Sequence, residues 1–339
     1  MTLRRKSLSI LKLLVRLFFI LVSFLVVLLF IFITFFSIQR GFRETKNRSE
    51  VAPKNGRFIQ ISDGKIFIQE TGVMNDTPVL FIHGTGAWSE LWRGTLDRCA
   101  EFNLYCIAVD LPPFGFSEIT SGSSYSRLSQ AKRITELLKT LNPKAKYTLV
   151  GHSFGAGPTV ESLMEDGSQV SRLVIVDGAL SIDPIHKDVG IVDRVFAHRF
   201  VRNTILSSVV TNPLFTKQLL LPLLYNKQAA TDERVQLLRR PLVVTGATDH
   251  LGDWSLDFMN SVNEQNLSSQ SLMYKSITIP TLVIWGEKDS ITPLEQGEKI
   301  HALISGSRFV VLKNVGHMPQ IEDVDGFNTA VFSFINNEK

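Results

Sequence analysis

The stretch YTLVGHSFGAG at residues 147–157 decides how this chain is read. Tyr147 to Val150 form a short apolar run of strand character, and residues 155–165 suit a helix. Between them stands Gly151-His152-Ser153-Phe154-Gly155, a G-x-S-x-G pattern at a strand-to-helix turn. The glycines permit a sharp, strained turn, so that Ser153 Oγ stands at the strand's carboxyl end with its backbone N–H at a helix N-terminus. Taken alone, the same five residues also fit a glycine-rich strand end with an ordinary capping serine. The surrounding sequence has to choose.

Working outward, five further apolar runs share the character of the first: PVLFIHG (78–84), LYCIAVDLP (104–112), RLVIVDG (172–178), TLVIWGE (281–287) and RFVVLKN (308–314). Near-continuous apolar strands are those buried on both faces, which predicts a mostly parallel sheet covered by helices such as 128–141. FIQISDGKIFIQE (58–70) alternates on both sides of Asp63-Gly64 and reads as a hairpin with its tight turn there. The strand order is interrupted between about 180 and 276 by helical, apolar stretches at 192–201, 205–210 and 215–224. An insertion of that length predicts a helical cap. No internal repeat is visible.

A serine hydroxyl is a poor nucleophile near neutral pH and needs a general base, whose imidazole needs an acid to fix its tautomer. The chain supplies Ser153, Asp289 in WGEKD and His317 in VGHMPQ, in the order Ser–Asp–His, each just past a strand. Asp177, after VIV, is another carboxyl at a strand end. HGTGAW at 83–88 closes another strand, where backbone N–H groups can converge on a developing oxyanion. His83 and His152 adjoin the site and read as loop hydrogen-bonding residues; Asp249-His250 reads as a turn in the cap.

With HGTGAW (83–88), DLPPFGFS (110–117), GHSFGAG (151–157), PTLVIWGEKD (280–289) and GHMPQIE (316–322) in place, residues 57–335 resemble the α/β-hydrolase superfamily. The resemblance is to its branch of simple esterases, epoxide hydrolases, dehalogenases and carbon–carbon-bond hydrolases. It implies an α/β fold, with a serine hydrolase working through an acyl-serine, since Ser153 occupies the position that is Asp in dehalogenases. It also implies oxyanion donation by the backbone N–H groups of Thr85 and Phe154, a triad of Ser153, Asp289 and His317 with Asp177 as the fallback acid, since some members place the acid one strand earlier, and neither cofactor nor metal. Pro113 departs from the family's usual glycine.

The charge is uneven: residues 1–50 carry nine Lys/Arg against two Glu, while the whole chain is only +4. The body is therefore slightly acidic, which speaks against a nucleic-acid groove and for a membrane surface at the N-terminus. Residues 17–38 hold 22 positions without a charge. As a helix they reach roughly 33 Å, enough for a hydrocarbon core of about 30 Å. A cleaved secretory signal has a shorter apolar region and a small-x-small site, which this run lacks. Five basic residues precede the run and four follow it, a slight bias toward a cytoplasmic N-terminus with the catalytic domain on the other side.

The expected organisation is a basic segment at 1–16, a transmembrane signal anchor at 17–38, a polar linker at 39–56, an α/β-hydrolase core at 57–180 and 277–339, and a cap at 181–276. Cys99 and Cys106 provide neither a zinc cluster nor a C-x-x-C pair. Asn47, Asn75 and Asn266 begin glycosylation sequons. The expected function is hydrolysis of an ester or related acyl bond of a small apolar substrate. Carbon–carbon hydrolysis or acyl transfer on the same triad, and a non-catalytic tethered binding module, are the alternatives. The cap offers more apolar side chains than one packing face needs, among them Val195, Phe200, Leu206, Leu219 and Leu220. It has no Arg/Lys cluster suited to a polyanionic substrate.

Overall fold

The computed structural model describes residues 2–73, 77–184, 188, 190–260 and 266–337. Two N-terminal helices, α1 (Thr2–Arg43) and α2 (Arg48–Val51), precede the sheet domain. Its first half runs β1 (Gly56–Ile61), β2 (Gly64–Thr71), β3 (Thr77–Ile82), α3 (Arg93–Cys99), β4 (Leu104–Val109), β5 (Glu118–Ile119), α4 (Arg127–Leu141), β6 (Tyr147–His152), α5 (Ala156–Asp166) and β7 (Val170–Val176). The insertion contributes α6 (Ile191–Ala197), α7 (Arg199–Ser208), α8 (Thr216–Leu220), α9 (Asp232–Arg239), α10 (Ala247–Asn260) and α11 (Ser271–Tyr274). β8 (Thr281–Gly286), α12 (Leu294–Leu303), β9 (Arg308–Leu312), α13 (Pro319–Glu322) and α14 (Val324–Asn337) complete the chain.

The strands form one sheet in the order β1-β2-β4-β3-β6-β7-β8-β9, with β5 beside β2. From β4 to β9 every pairing is parallel; β1, β2 and β5 pair antiparallel at the other edge. Successive strand residues point to opposite faces. On β3, Leu80 and Ile82 pack with Ile134, Leu137 and Leu138 of α4, while Val79 and Phe81 pack with Leu96 of α3 and Phe327 and Val331 of α14. Helices on both faces are why β4, β6 and β8 are buried along their whole length. The hairpin turn falls one residue earlier than expected, at Ser62-Asp63, because Gly64 already pairs with Ile61. A side chain at 64 would meet the Glu118 carbonyl of β5 at 2.0 Å, so the glycine serves a close crossing.

All named elements between β7 and β8 are helical, with boundaries that differ from the expected ones. Asp249-His250, expected in a turn, lies in the first turn of α10. The insertion is clasped near both of its ends by one side chain. Arg127 Nη1 donates to the Leu180 carbonyl at 2.9 Å and to the hydroxyls of Ser268 and Ser269 at 3.0 and 2.9 Å. Gly157 leaves the room this needs, since a Cβ there would stand 2.9 Å from Arg127 Nε. Glu161 reinforces the clasp by accepting from the backbone N–H groups of Leu267 and Ser268.

Residues 39–56 depart from the expectation of a linker. α1 continues through Arg43, and the chain beyond it docks on the insertion. Thr45 and Lys46 donate backbone N–H groups to the Val243 carbonyl, and Thr245 N–H returns to the Lys46 carbonyl. Glu44 is buried; its carboxylate pairs with Arg40 and Arg43 and accepts from the Thr248 N–H and hydroxyl, while Arg40 also pairs with Asp249 at 2.7 Å. These polar side chains are matched to partners about 200 residues away, a fit that no local pattern announces.

Cys99 on α3 and Cys106 on β4 form a disulfide. Of the sequon asparagines, Asn47 is exposed, Asn266 is buried, and Asn75 lies outside the described residues.

Candidate active site

Ser153 follows β6 directly and has φ +52°. That left-handed conformation is strained for a side chain with a Cβ, and it projects Oγ away from the strand. The flanking glycines are required by crowding. A Cβ at Gly151 would stand 2.6 Å from Thr159 Oγ1 of α5, and one at Gly155 would stand 2.4 Å from the His83 carbonyl after β3. The turn is thus wedged between two elements packed hard against it.

His317 sits in the loop after β9, and its Nε2 lies 2.8 Å from Ser153 Oγ. On the other side of the ring, Nδ1 lies 2.8 Å from Asp289 Oδ2. All three side chains are nearly buried. Asp289 is further held by Thr292, whose hydroxyl donates to Oδ2 at 2.6 Å, and by the backbone N–H groups of Ile291 and Thr292, which donate to Oδ1 at 2.8 and 3.1 Å. Burial alone raises the pKa of Asp289, but the bond and charge of His317 and these donors outweigh it and hold the carboxyl below its ordinary range.

Asp177, the fallback acid, is close but differently employed. Its Oδ1 accepts from the Gly286 N–H at 2.8 Å, and its carboxylate lies within 4.8 Å of the Asp289 and His317 ligand atoms. Complete burial and then the neighbouring charge of Asp289 push its pKa well up. The anion facing His317 is Asp289. These three residues have the spacing of a metal-ligand set, but His317 Nδ1 and Asp289 Oδ2 are engaged with each other.

The loop at 83–88 lies against Ser153: a Cβ on Gly84 would meet Ser153 Cβ at 2.8 Å and His152 Nδ1 at 2.9 Å. Thr85 follows at the exposed rim, and Phe154 opens the turn leading into α5. The structure therefore puts the two expected oxyanion donors on the two loops that flank Ser153.

His83 and His152 act as struts. His83 Nδ1 donates to the Gly84 carbonyl, and its Nε2 accepts from the Leu111 N–H. That links the 83–88 and 110–117 loops. His152 Nε2 donates to the His317 carbonyl at 2.7 Å, while its Nδ1 accepts from Gln320. Burial lowers His83 to about 4; burial and then the neighbouring His317 lower His152 to about 3. Both rings are neutral at pH 7. In the 110–117 loop the Pro112–Pro113 bond is cis, and the Asp110 carboxylate closes the turn by accepting from the Ser89 and Phe116 N–H groups.

Two positions escaped sequence reasoning. Thr292 lies three residues after Asp289, a spacing at which a carboxylate commonly captures backbone N–H groups; that pattern could have drawn attention to it. Glu322 had no such signal. Its carboxylate accepts from Gly316 and Met318 on either side of His317 and from Tyr225 and Asn226 in the insertion, tying the His317 loop to the cap.

A cavity of about 420 Å³ opens beside this site. Thr85, Gly86 and Met318, from the 83–88 and His317 loops, line it together with mostly apolar side chains, Phe114, Trp254, Leu206, Leu219 and Leu220 among them. Arg48 is the charged side chain among its lining residues. Leu206, Leu219 and Leu220 thus face the cavity, whereas Val195 and Phe200, expected to share that role, point outward at 52% and 73% exposure.

Comparison with known proteins bears on the whole arrangement. The family profile described as alpha/beta hydrolase fold matches residues 77–324. A 2-hydroxy-6-oxononadienedioate/2-hydroxy-6-oxononatrienedioate hydrolase from Cupriavidus pinatubonensis is 22% identical, covering 83% of this chain and 95% of its own. Lipase 1 from Psychrobacter immobilis is 22% identical, covering 85% of both chains. Among solved structures, a membrane phospholipase A described as a bacterial virulence factor superposes with a TM-score of 0.66 at 21% identity, covering 96% of this chain and 98% of its own.

Proposed function

The chain belongs to the α/β-hydrolase family and is a hydrolase, and from that premise we propose a membrane-anchored serine esterase acting on apolar acyl substrates. One observation carries the proposal: the hydrogen-bonded series Ser153, His317, Asp289, with 2.8 Å at both links, lies beside an apolar cavity lined by the neighbouring Thr85 and Met318.

In this reading His317 Nε2 takes the Ser153 proton as Oγ attacks the acyl carbonyl. Asp289 fixes the ring with its proton on Nδ1 and stabilises the imidazolium that forms. The Thr85 and Phe154 N–H groups receive the charge developing on the carbonyl oxygen, a term worth roughly 3–4 kcal/mol per donor in enzymes of this kind. His317 then delivers the proton to the leaving alcohol. An acyl-serine remains, and water activated by the same imidazole releases it.

The apolar walls favour an uncharged acyl chain. The dienedioate hydrolase and the lipase pull the substrate in different directions. A dianionic diketone would call for more cationic groups than Arg48 among the described lining residues. The phospholipase likeness, over 96% of this chain, takes in most of α1 and supports a lipid ester. For the anchor, the helical run Leu11–Arg43 has a mean hydropathy of 3.2 in its most apolar window, which lies fully outside the folded body. The disulfide supports an oxidising compartment for the catalytic domain, consistent with the charge bias.

The test is covalent. A fluorophosphonate probe should label the full-length protein and fail on Ser153→Ala, and alkaline carbonate should leave the protein in the membrane pellet. Failure of the folded parent to react removes the serine mechanism; extraction into the soluble fraction removes the anchor.

A further inference from the structure

α1 and the insertion meet at a level that can be placed along α1 itself. Every α1 residue from 11 to 32 is exposed, and the first to be buried is Phe36, at 8% exposure. The helix packed against α1 is α7. Phe36 lies two residues before the end of the uncharged run 17–38, about 3 Å inside it at the helical rise. If that run spans the bilayer, α7 touches α1 where the helix emerges from hydrocarbon.

The neighbouring surface has the composition of such a boundary. Ile191 and Val195 on α6 and Phe200 on α7 are 79%, 52% and 73% exposed. Arg194, His198 and Arg199 are exposed among them. Large apolar side chains interleaved with basic ones suit the interface, where the first enter the acyl boundary and the second reach phosphates. Three large exposed apolar groups within ten residues are otherwise costly on a soluble surface.

Resting on the reading of α1 as a membrane span, we propose that the outward face of α6 and the start of α7 is a second membrane contact, seated in the interface of the bilayer that α1 enters. The occupant is lipid because α7, which carries Phe200 and packs on α6, is itself packed on α1. α7 also supplies Leu206 to the cavity wall, so one helix lies between the lipid and the pocket.

The test uses full-length protein reconstituted in phosphatidylcholine vesicles with plain or brominated acyl chains, with folding verified by fluorophosphonate labelling. The four native tryptophans are buried, which shields them from contact with the brominated chains, and their emission is subtracted using the parent. Phe200→Trp reports the proposed face and Leu28→Trp reports α1. Val73→Trp is the control, an exposed site after β2 at the sheet end away from the cap. The expected result is that the emission added by Phe200→Trp and by Leu28→Trp is lost in brominated vesicles, while that added by Val73→Trp is retained. Loss at Leu28→Trp with retention at Phe200→Trp overturns the second contact and leaves the anchor standing; a second copy covering the face gives this result. Retention at both overturns the anchor and the contact with it. Equal loss at Phe200→Trp and Val73→Trp shows non-specific adsorption and also overturns the proposal.

Discussion

Lowering the pH from 7 to 5 should remove most of what His83 and His152 contribute to stability, and the size of the effect follows from their surroundings. Both rings are completely buried and neutral, with folded values near 4 and 3, whereas an unfolded histidine titrates near 6.5. Their stabilising contribution is therefore complete above about 6.5 and is lost progressively as pH falls toward the folded values. Below 6.5 the unfolded chain binds up to one more proton per ring, a slope of about 1.4 kcal/mol per pH unit each. Between 6.5 and 5 that amounts to roughly 2 kcal/mol per histidine and about 4 kcal/mol for the pair. Set against a total stability of about 5–15 kcal/mol, this is a large fraction. Asp110, raised to about 7 by burial, takes up its proton in the same window and offsets part of this loss, and Asp177, also raised by burial, acts in the same sense, so the histidine contribution is isolated by comparing variants with the parent. The measurement is guanidinium unfolding of the full-length protein in neutral detergent at pH 7, 6 and 5, repeated on His83→Gln and His152→Asn. Each variant should be less stable at pH 7, and acidification to pH 5 should cost it about 2 kcal/mol less than it costs the parent. Variants with the parent's slope would refute the assignment of these rings as neutral struts.

Asp289→Asn should lower kcat by roughly 10⁴-fold through loss of the correct imidazole tautomer, whereas Asp177→Asn, which keeps an oxygen to accept from the Gly286 N–H, should change kcat little; the reverse order in steady-state assays would make Asp177 the acid. Gly84→Ala should cost about 100-fold in kcat and about 1–3 kcal/mol in stability, because the new methyl would displace Ser153 and crowd His152. Unchanged kcat would mean that the loop relaxes freely. Glu44→Ala should destabilise by about 3–5 kcal/mol, because it strips a buried carboxylate from Arg40 and Arg43 and leaves Thr248 without its acceptor; thermal melts would show it. Across a series of p-nitrophenyl esters, kcat/KM should rise by up to about fourfold per methylene that becomes fully buried, equivalent to ~0.8 kcal/mol; a preference for acetyl would point to a different substrate class.

What could be read from the chain follows from the range over which each feature is encoded. The parallel strands were visible because burial on two faces writes a continuous apolar run into a handful of neighbouring residues, as in the fully buried β4, β6 and β8. Ser153, Asp289 and His317 were visible because each directly follows such a run. The partners that hold them in place were less so. Thr292 and Glu322 are polar residues in loops, and their roles arise from where distant backbone N–H groups come to lie. The docking of residues 40–48 on α10 and its approach was hidden for the same reason: Glu44 and Thr248 have no shared periodicity, only complementary donors and acceptors. The outward direction of Val195 and Phe200 was hidden too, since an apolar residue in a helix is written alike whether it meets a core, a ligand or a lipid.

The clasp at Arg127 has a consequence for how this architecture varies. The insertion departs after β7 and is gripped, at Leu180 and again at Ser268 and Ser269, by a single guanidinium rooted in the sheet domain. A segment fastened at both of its roots adds little to the closure entropy of the domain whatever its length, since that cost grows only logarithmically with chain. The hundred or so residues between the roots can therefore be exchanged, lengthened or trimmed as a cassette, while the sheet and the loops bearing Ser153, Asp289 and His317 keep their places. One scaffold can in this way be fitted to successive ligands by replacing its upper storey.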